Sequence, residues 1–249
     1  IDAADELIEN SRPTWVQPAS RSAAALVEDA SSPYHLMCHL PYNPACDACF
    51  KSKHTRRIRN TGATKALVER CTKFGDQVTA DHRVLSLQKD AFGQDVETVA
   101  VVVFDVATNF RFCEPVVNKS AAEAGRAIRL CLGTTKPRDL RVDNSDELRS
   151  ALADLNLCRS TSQPFMHSSN AIIERQVALV NSGVRTLLTR SGLGPSYWPF
   201  AVRHFIHGCN ICAQDHLKRS PYELRFGKVF PGVAWPFGAA CGAILPKEV

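Results

Sequence analysis

Apolar and polar positions change their period along this chain at definite places. From about residue 77 onward, runs rich in β-branched and aromatic residues come first, at 77–85, 97–106 and 110–117. The joints Gly93-Gln94 and Ala107-Thr108-Asn109 suit antiparallel hairpins. The period then becomes helical. Ser120-Ala121-Ala122-Glu123 has the capping-box pattern, in which the Ser oxygen accepts from an amide of the first turn and the Glu reaches back, and the helix runs over 124–132 to a stop at Gly133. A short strand at 139–142, a helix at 147–157, a short strand at 158–162 and a long amphipathic helix at 170–191, closed by Gly192, follow. The predicted order βββαβαβα is that of an α/β layer fold. Beyond it, 196–213 has helical spacing, and Ser220-Pro221-Tyr222-Glu223 is a second capping box with Pro at the first helical position.

Ahead of this domain, residues 1–34 mix acids, Ser, Ala and Pro around a helix-like stretch near 23–30, and read as linker. Residues 35–60 concentrate His35, His39, Cys46 and Cys49, followed by the basic run Lys51, Lys53, His54, Arg56, Arg57 and Arg59, which reads as a small separate module. The main domain is expected over 70–230, with 231–249 opening a C-terminal extension. The chain starts at Ile1 rather than Met, and it is expected to be cut from a longer protein.

Composition adds little. Of 249 residues 45% are apolar and 22% charged, which is ordinary globular usage. Thirty Lys and Arg against 25 Asp and Glu give a net +5, compatible with a polyanionic partner. Ten cysteines without a secretory leader point to a reducing, intracellular compartment. The longest apolar run, 99–104, is far below the roughly 20 residues that span a bilayer, so no membrane passage is expected.

Three acids stand where strands or helices would hold them rigidly beside water, as a divalent metal requires. Asp81 interrupts the apolar alternation of the first strand, Asp143 ends the fourth, and Glu174 lies one turn into the long helix. In a fold of this order the first and fourth strands are central neighbours, so Asp81 and Asp143 would face each other with Glu174 brought over them. Such a cluster repels itself unless cations sit within it. Each acid also admits a structural role: Asp143 or Asn144 as cap of the helix starting near Ser145, Glu174 as partner of its helix dipole. Asp76 and Asp105 are rival acids, with a turn cap the expected role of Asp105.

His35-x3-His39-x6-Cys46-x2-Cys49 offers two imidazoles and two thiolates, a donor set suited to one tetrahedral, structural Zn²⁺. The alternative places both histidines on a surface turn with the cysteines as small apolar residues, and Cys38 adds ambiguity of register. Cys71, Cys113, Cys131, Cys158, Cys209, Cys212 and Cys241 are expected to fill core space.

Taken together, Asp81, Asp143 in Asp-Asn-x-x-Glu, and Glu174 in Asn-x-x-x-Glu-Arg resemble the Asp-Asp-Glu core of retroviral-type integrases, ribonuclease-H-like polynucleotidyl transferases. The resemblance runs from His35 to near Ile244 and is closest to integrases of copia-like long-terminal-repeat retrotransposons. The zinc motif, Phe74-Gly75-Asp76 with Thr79-Ala80-Asp81-His82, Asp105-x2-Thr108-x-Phe110, Trp198 with Asn210, the Ser220 capping box and Phe237-Gly238 are similar to that family's pattern. It implies a mixed five-stranded sheet flanked by helices and preceded by the zinc module. It also implies 3′ end processing and strand transfer on DNA with two Mg²⁺ or Mn²⁺ ions about 4 Å apart, Asp81 bridging both while Asp143 and Glu174 each complete one. DNA phosphates would be held by Lys51, Lys53, Arg56, Arg57, Arg175, Arg185 and Arg190. The implied setting is a homo-oligomer on element and target DNA, in the nucleus after passage through the cytoplasm.

This chain departs from the family pattern in having Ser145 and Ala171 where glycines are usual, and Asp143 and Glu174 lie 31 positions apart, a few fewer than in retroviral members. Two other functions remain open at this level. One is a ribonuclease-H-like nuclease. The other is an inactive, transposon-derived nucleic-acid-binding module.

Overall fold

In the computed structural model, residues 22–52, 71–83, 97–143, 145–157, 159–161, 171–212 and 219–240 are described. The first strand, β1 (Val78–Arg83), pairs antiparallel with β2 (Val99–Asp105), and β2 pairs antiparallel with β3 (Arg111–Val116). On its other side β1 runs parallel to β4 (Leu140–Val142), which in turn pairs with the three-residue edge strand β5 (Arg159–Thr161). The sheet order is therefore β3-β2-β1-β4-β5, with β1 at its centre. It is a mixed sheet of four strands with described side chains and a short fifth of which the backbone pairing is described. Pro115 lies within β3 without breaking it because β3 is an edge strand.

Helices cover both faces. On one, α4 (Ala121–Leu132) and α5 (Asp146–Asp154) pack Ala127, Ile128, Leu148 and Leu152 against Val78, Ala80, Val101, Val103, Leu140 and Val142. On the other, α6 (Ala171–Ser191) and α7 (Trp198–Ile211) pack Val180, Val184, Leu187, Trp198 and Phe205 against Ala100, Val102 and Phe104. All seven residues of β2 are buried because alternate side chains enter the two cores. The expected cap holds: Ser120 Oγ accepts from the Glu123 amide at 3.3 Å, and α4 ends at Gly133, φ 60°. The helix expected over 196–213 is instead a 3₁₀ turn, Pro195–Tyr197, followed by α7, since Pro199 is suited only to a first helical turn.

Several residues of the family pattern hold the scaffold. Asp105, 2% exposed, caps a turn as expected, accepting from the Gly75 amide at 2.9 Å and from the Thr108 amide and hydroxyl at 2.8 and 2.7 Å. Asn210 accepts from the Arg111 amide at 2.9 Å and donates to its carbonyl at 2.7 Å, so a side-chain amide takes the place of a strand neighbour at the free edge of β3. The final helix α8 (Pro221–Phe226), capped by Ser220, places the Arg225 guanidinium 3.9 Å from the Phe74 ring centroid and 4.2 Å from that of Phe110.

Residues ahead of the sheet fold onto it. Helices α1 (Ala23–Ser31), α2 (Pro33–Cys38) and α3 (Asp47–Ser52) form a compact cap. The last residues of α2, Met37 and Cys38, join the core of Trp198 and Phe205, so the module expected as separate shares a hydrophobic core with the sheet domain. Ser52 of α3 meets Thr186 of α6, hydroxyl to hydroxyl, at 2.6 Å.

Gly183 lies where the Phe205 ring rests against the α6 backbone, and a methyl group there would overlap that ring. Gly183→Ala should therefore destabilise the chain by about 1–3 kcal/mol despite the better helix propensity of Ala. A lowered denaturant midpoint at unchanged slope would register it, and an unchanged midpoint would contradict this packing.

Candidate functional site

Alternation along β1 decides where its polar residues point. Val78 and Ala80 enter the core under α4 and α5, so Thr79, Asp81 and Arg83 face α6. Ala80 is level with Val142 in the parallel pair, which puts Asp81 level with Asp143 one residue past the end of β4 and on the same face. The Asp81 carboxyl senses this placement. Burial, and then the Asp143 charge, push the Asp81 carboxyl up to about 6, against smaller opposing contributions from the His82 backbone amide, Lys119 and Arg83.

Asp143 also serves its own loop: its Oδ1 accepts from the Ser145 amide at 3.0 Å, while Ser145, the N-cap residue of α5, makes no side-chain cap bond. Asp143 thus closes a local turn just ahead of the helix and does not cap it, since the N-cap position belongs to Ser145, and the bond leaves the remaining carboxylate lone pairs available. Asn144 lies outside the described residues.

Glu174 sits in the first turn of α6 and is exposed. Among the described residues it is not drawn with Asp81 and Asp143 into a cluster at metal-ligand spacing. Its helix is nonetheless tied to their strand. With the Asn181 amide oriented so that its oxygen faces the guanidinium, it accepts from Arg83 Nε at 3.0 Å and Nη2 at 3.1 Å. Asn181 is seven positions, two turns, beyond Glu174 and so on the same helical stripe. A double-mutant cycle of Arg83→Ala and Asn181→Ala should show a coupling of about 0.5–1.5 kcal/mol in unfolding, and strict additivity would dismiss the contact.

His82, on the opposite face from Asp81, lies among Lys119, Glu147 and Asp143, and its imidazole is held below its ordinary value first by burial and then by Lys119. Of the expected phosphate contacts, Arg175, Arg185 and Arg190 are exposed on α6, and Lys51 is exposed on α3, where it pairs with Asp47 at 2.7 Å. Lys53, His54, Arg56, Arg57 and Arg59 lie outside the described residues.

The second constellation is closed. His35, His39, Cys46 and Cys49 are all buried, with one ligand atom of each within 4.8 Å of the others. His39 Nδ1 lies 3.4 Å from Cys46 Sγ and 3.7 Å from Cys49 Sγ, and His35 Nε2 lies 3.6 Å from Cys49 Sγ. His39 adopts the left-handed conformation, φ 52°, as the C-cap of α2, a turn uncommon for a residue with a side chain and here one that aims Nδ1 at the thiols. Two nitrogens and two sulfurs converging in a dry site fit a structural zinc ion. The surface-turn alternative is excluded by this burial, and Cys38 leaves the set by pointing into the Trp198 core. Cys209 and Cys212 are core residues, as expected.

Sequence reading passed over residues around this site. Asp29 fell in the stretch read as linker, and Asn43 in the small module without being singled out. Asn43 is fully buried, its Nδ2 donating to the Leu26 carbonyl at 2.8 Å and to Asp29 Oδ2 at 3.0 Å, its Oδ1 accepting from the Ala45 amide at 2.9 Å. The available sequence signals were the caps Ser22 and Ser32, which mark 23–38 as two helices rather than linker.

No protein-family model matches the chain, and no curated protein matches it. Among solved structures it is similar to the HTLV-2 integrase catalytic core domain in complex with magnesium, at 13% identity over 63% of this chain and 99% of that one, TM-score 0.47. It is similar also to the catalytic core domain of BIV integrase, at 12% identity over 61% and 95%, TM-score 0.45. A chain of the simian T-cell lymphotropic virus intasome in complex with PP2A regulatory subunit B56 gamma matches at 15% identity over 81% of this chain and 69% of that one, TM-score 0.52. At this identity the last likeness establishes the fold alone, a mixed α/β sheet with helices on both faces as in that intasome chain, here with a His₂Cys₂ cluster ahead of it. Among the described residues no helix is long and apolar enough to cross a membrane.

Proposed function

We propose that this chain is the catalytic region of an integrase from a copia-like long-terminal-repeat retrotransposon, a polynucleotidyl transferase that processes 3′ ends and joins them to target DNA. The observation that carries this reading is the pairing of Asp81 and Asp143, level on adjacent central strands of an integrase-like sheet, with electrostatic stress on Asp81. Hard carboxylate oxygens are a donor set for Mg²⁺ or Mn²⁺. Asp81 and Asp143 would hold the ions, and Glu174, on the helix tied to β1 through Arg83 and Asn181, would complete the set. When bound, such ions supply Lewis-acid stabilisation of phosphoryl charge and an activated hydroxyl nucleophile. Exposed Arg175, Arg185 and Arg190 on α6, with Lys51, Lys53, Arg56 and Arg57 of the module, would carry the DNA phosphates. The active species would be a homo-oligomer working in the nucleus.

A second reading, DNA binding without chemistry, is favoured by the exposed Glu174 outside any described cluster and by Asp143 being engaged with the Ser145 amide. A joining assay with paired DNA ends in Mn²⁺ separates the two. Joined products support the integrase, nicking without joining supports a ribonuclease-H-like nuclease, and retained DNA binding with neither supports the inactive module.

A further inference from the structure

His35 presents two nitrogens to two different environments. Nε2 faces the thiol of Cys49, whereas Nδ1 lies 4.0 Å from Asp29 Oδ2. That carboxylate is fastened: Asn43, fully buried, holds the same oxygen at 3.0 Å while its other amide hydrogen ties the Leu26 carbonyl one turn earlier on α1. The His35 backbone is fixed as well, its amide donating to the cap residue Ser32 at 3.1 Å. Asn43 thus spans from the loop between the ligand pairs to α1, and α1 belongs to the cluster rather than to a tether.

The geometry points to Asp29 as a positioning residue for the His₂Cys₂ centre: held by Asn43, its carboxylate accepts a hydrogen bond from Nδ1–H of His35, fixing the tautomer whose Nε2 lone pair faces the metal. The inference rests on the zinc reading of the cluster. The 4.0 Å span is longer than a hydrogen bond, and Asp29, 20% exposed, closes it by a small side-chain shift or through one water. A carboxylate behind a ligating imidazole orients the ring and strengthens it as a donor, and loss of such a partner typically weakens metal affinity about 10–100-fold.

The test is zinc affinity of the full chain, measured by competition with a chromophoric chelator, beside the melting temperature of the metal-free protein. Asp29→Ala and the isosteric Asp29→Asn should each lose about 10-fold or more in affinity. Asn43→Ala should lose less, and Asp29→Glu should recover part. Metal-free stability of Asp29→Asn should stay that of the parent. Affinities of both Asp29 variants within twofold of the parent would overturn the inference alone. So would a variant whose metal-free stability falls while its zinc affinity holds, the mark of a merely structural carboxylate. Absence of stoichiometric zinc from the parent would instead overturn the metal reading on which the inference depends.

Discussion

Asp81→Asn should abolish end processing and joining while making the metal-free protein more stable. The two effects share one cause. The Asp81 carboxyl is half-buried opposite Asp143, and its ionisation is resisted until about pH 6. Because the folded state holds this proton more tightly than the unfolded chain, the group favours folding below the unfolded value of 3.8, and that contribution is lost as the pH rises through 6. At pH 7–8 the ionised carboxylate is a cost to the fold, one that the proposed chemistry would require. Asn keeps the shape, carries no charge and removes the repulsion. Its melting temperature in buffer without magnesium or manganese should exceed the parent's above pH 6, by about 2–4 °C for each kcal/mol relieved, with the gap closing toward pH 4. Adding Mn²⁺ should raise the parent and leave the variant unmoved. Joining should fall on the order of a thousandfold or more, as when a principal charge-stabilising group is removed from an active site. Full joining activity in the variant would refute the assignment, and a variant less stable at pH 8 than at pH 5 relative to the parent would refute the electrostatic argument.

Removing zinc should unfold the cap and loosen the domain behind it. Residues 22–52 bury little apolar surface among themselves, and a module of this size draws its stability from metal, roughly 10–16 kcal/mol of apparent binding energy in comparable zinc peptides at neutral pH. Here the loss would spread. Met37 is buried against the α7 core, Gly208 lets the Met37 backbone approach so closely that a Cβ would sit 3.1 Å from its carbonyl, and the Ser52–Thr186 hydroxyl pair joins α3 to α6. Cys49→Ser, or chelation of the parent, should therefore lower the melting temperature of the sheet domain itself and raise protease sensitivity first within 22–52. A chain that melts identically with and without chelator, or that contains less than one zinc per molecule by elemental analysis, would contradict this.

Some of this was legible because it is local. The Ser caps at Ser120 and Ser220, the β-rich run at 97–106, the turn chemistry around Asp105 and the spacing His-x3-His with Cys-x2-Cys are dictated by neighbours a few residues away. Boundaries were less so: α7 begins at Trp198, after a 3₁₀ turn, because Pro195 and Pro199 each shape the entry. Asp29 was invisible for another reason. An acid on an exposed-looking helix has no sequence mark to say which imidazole 4.0 Å away it will face.

By itself, then, the chain's pattern determined the succession of strands and helices, the four His and Cys residues that could hold a metal and the acids proposed for a divalent ion, since these follow from short-range periodicity and residue chemistry. Only the tertiary structure decided that β1 and β4 bring Asp81 level with Asp143, that Glu174 stays exposed at its helix start, and that the metal module is part of the α6–α7 core. Those outcomes depend on how whole elements pack across tens of residues, and packing selects among partners that local sequence treats as equivalent.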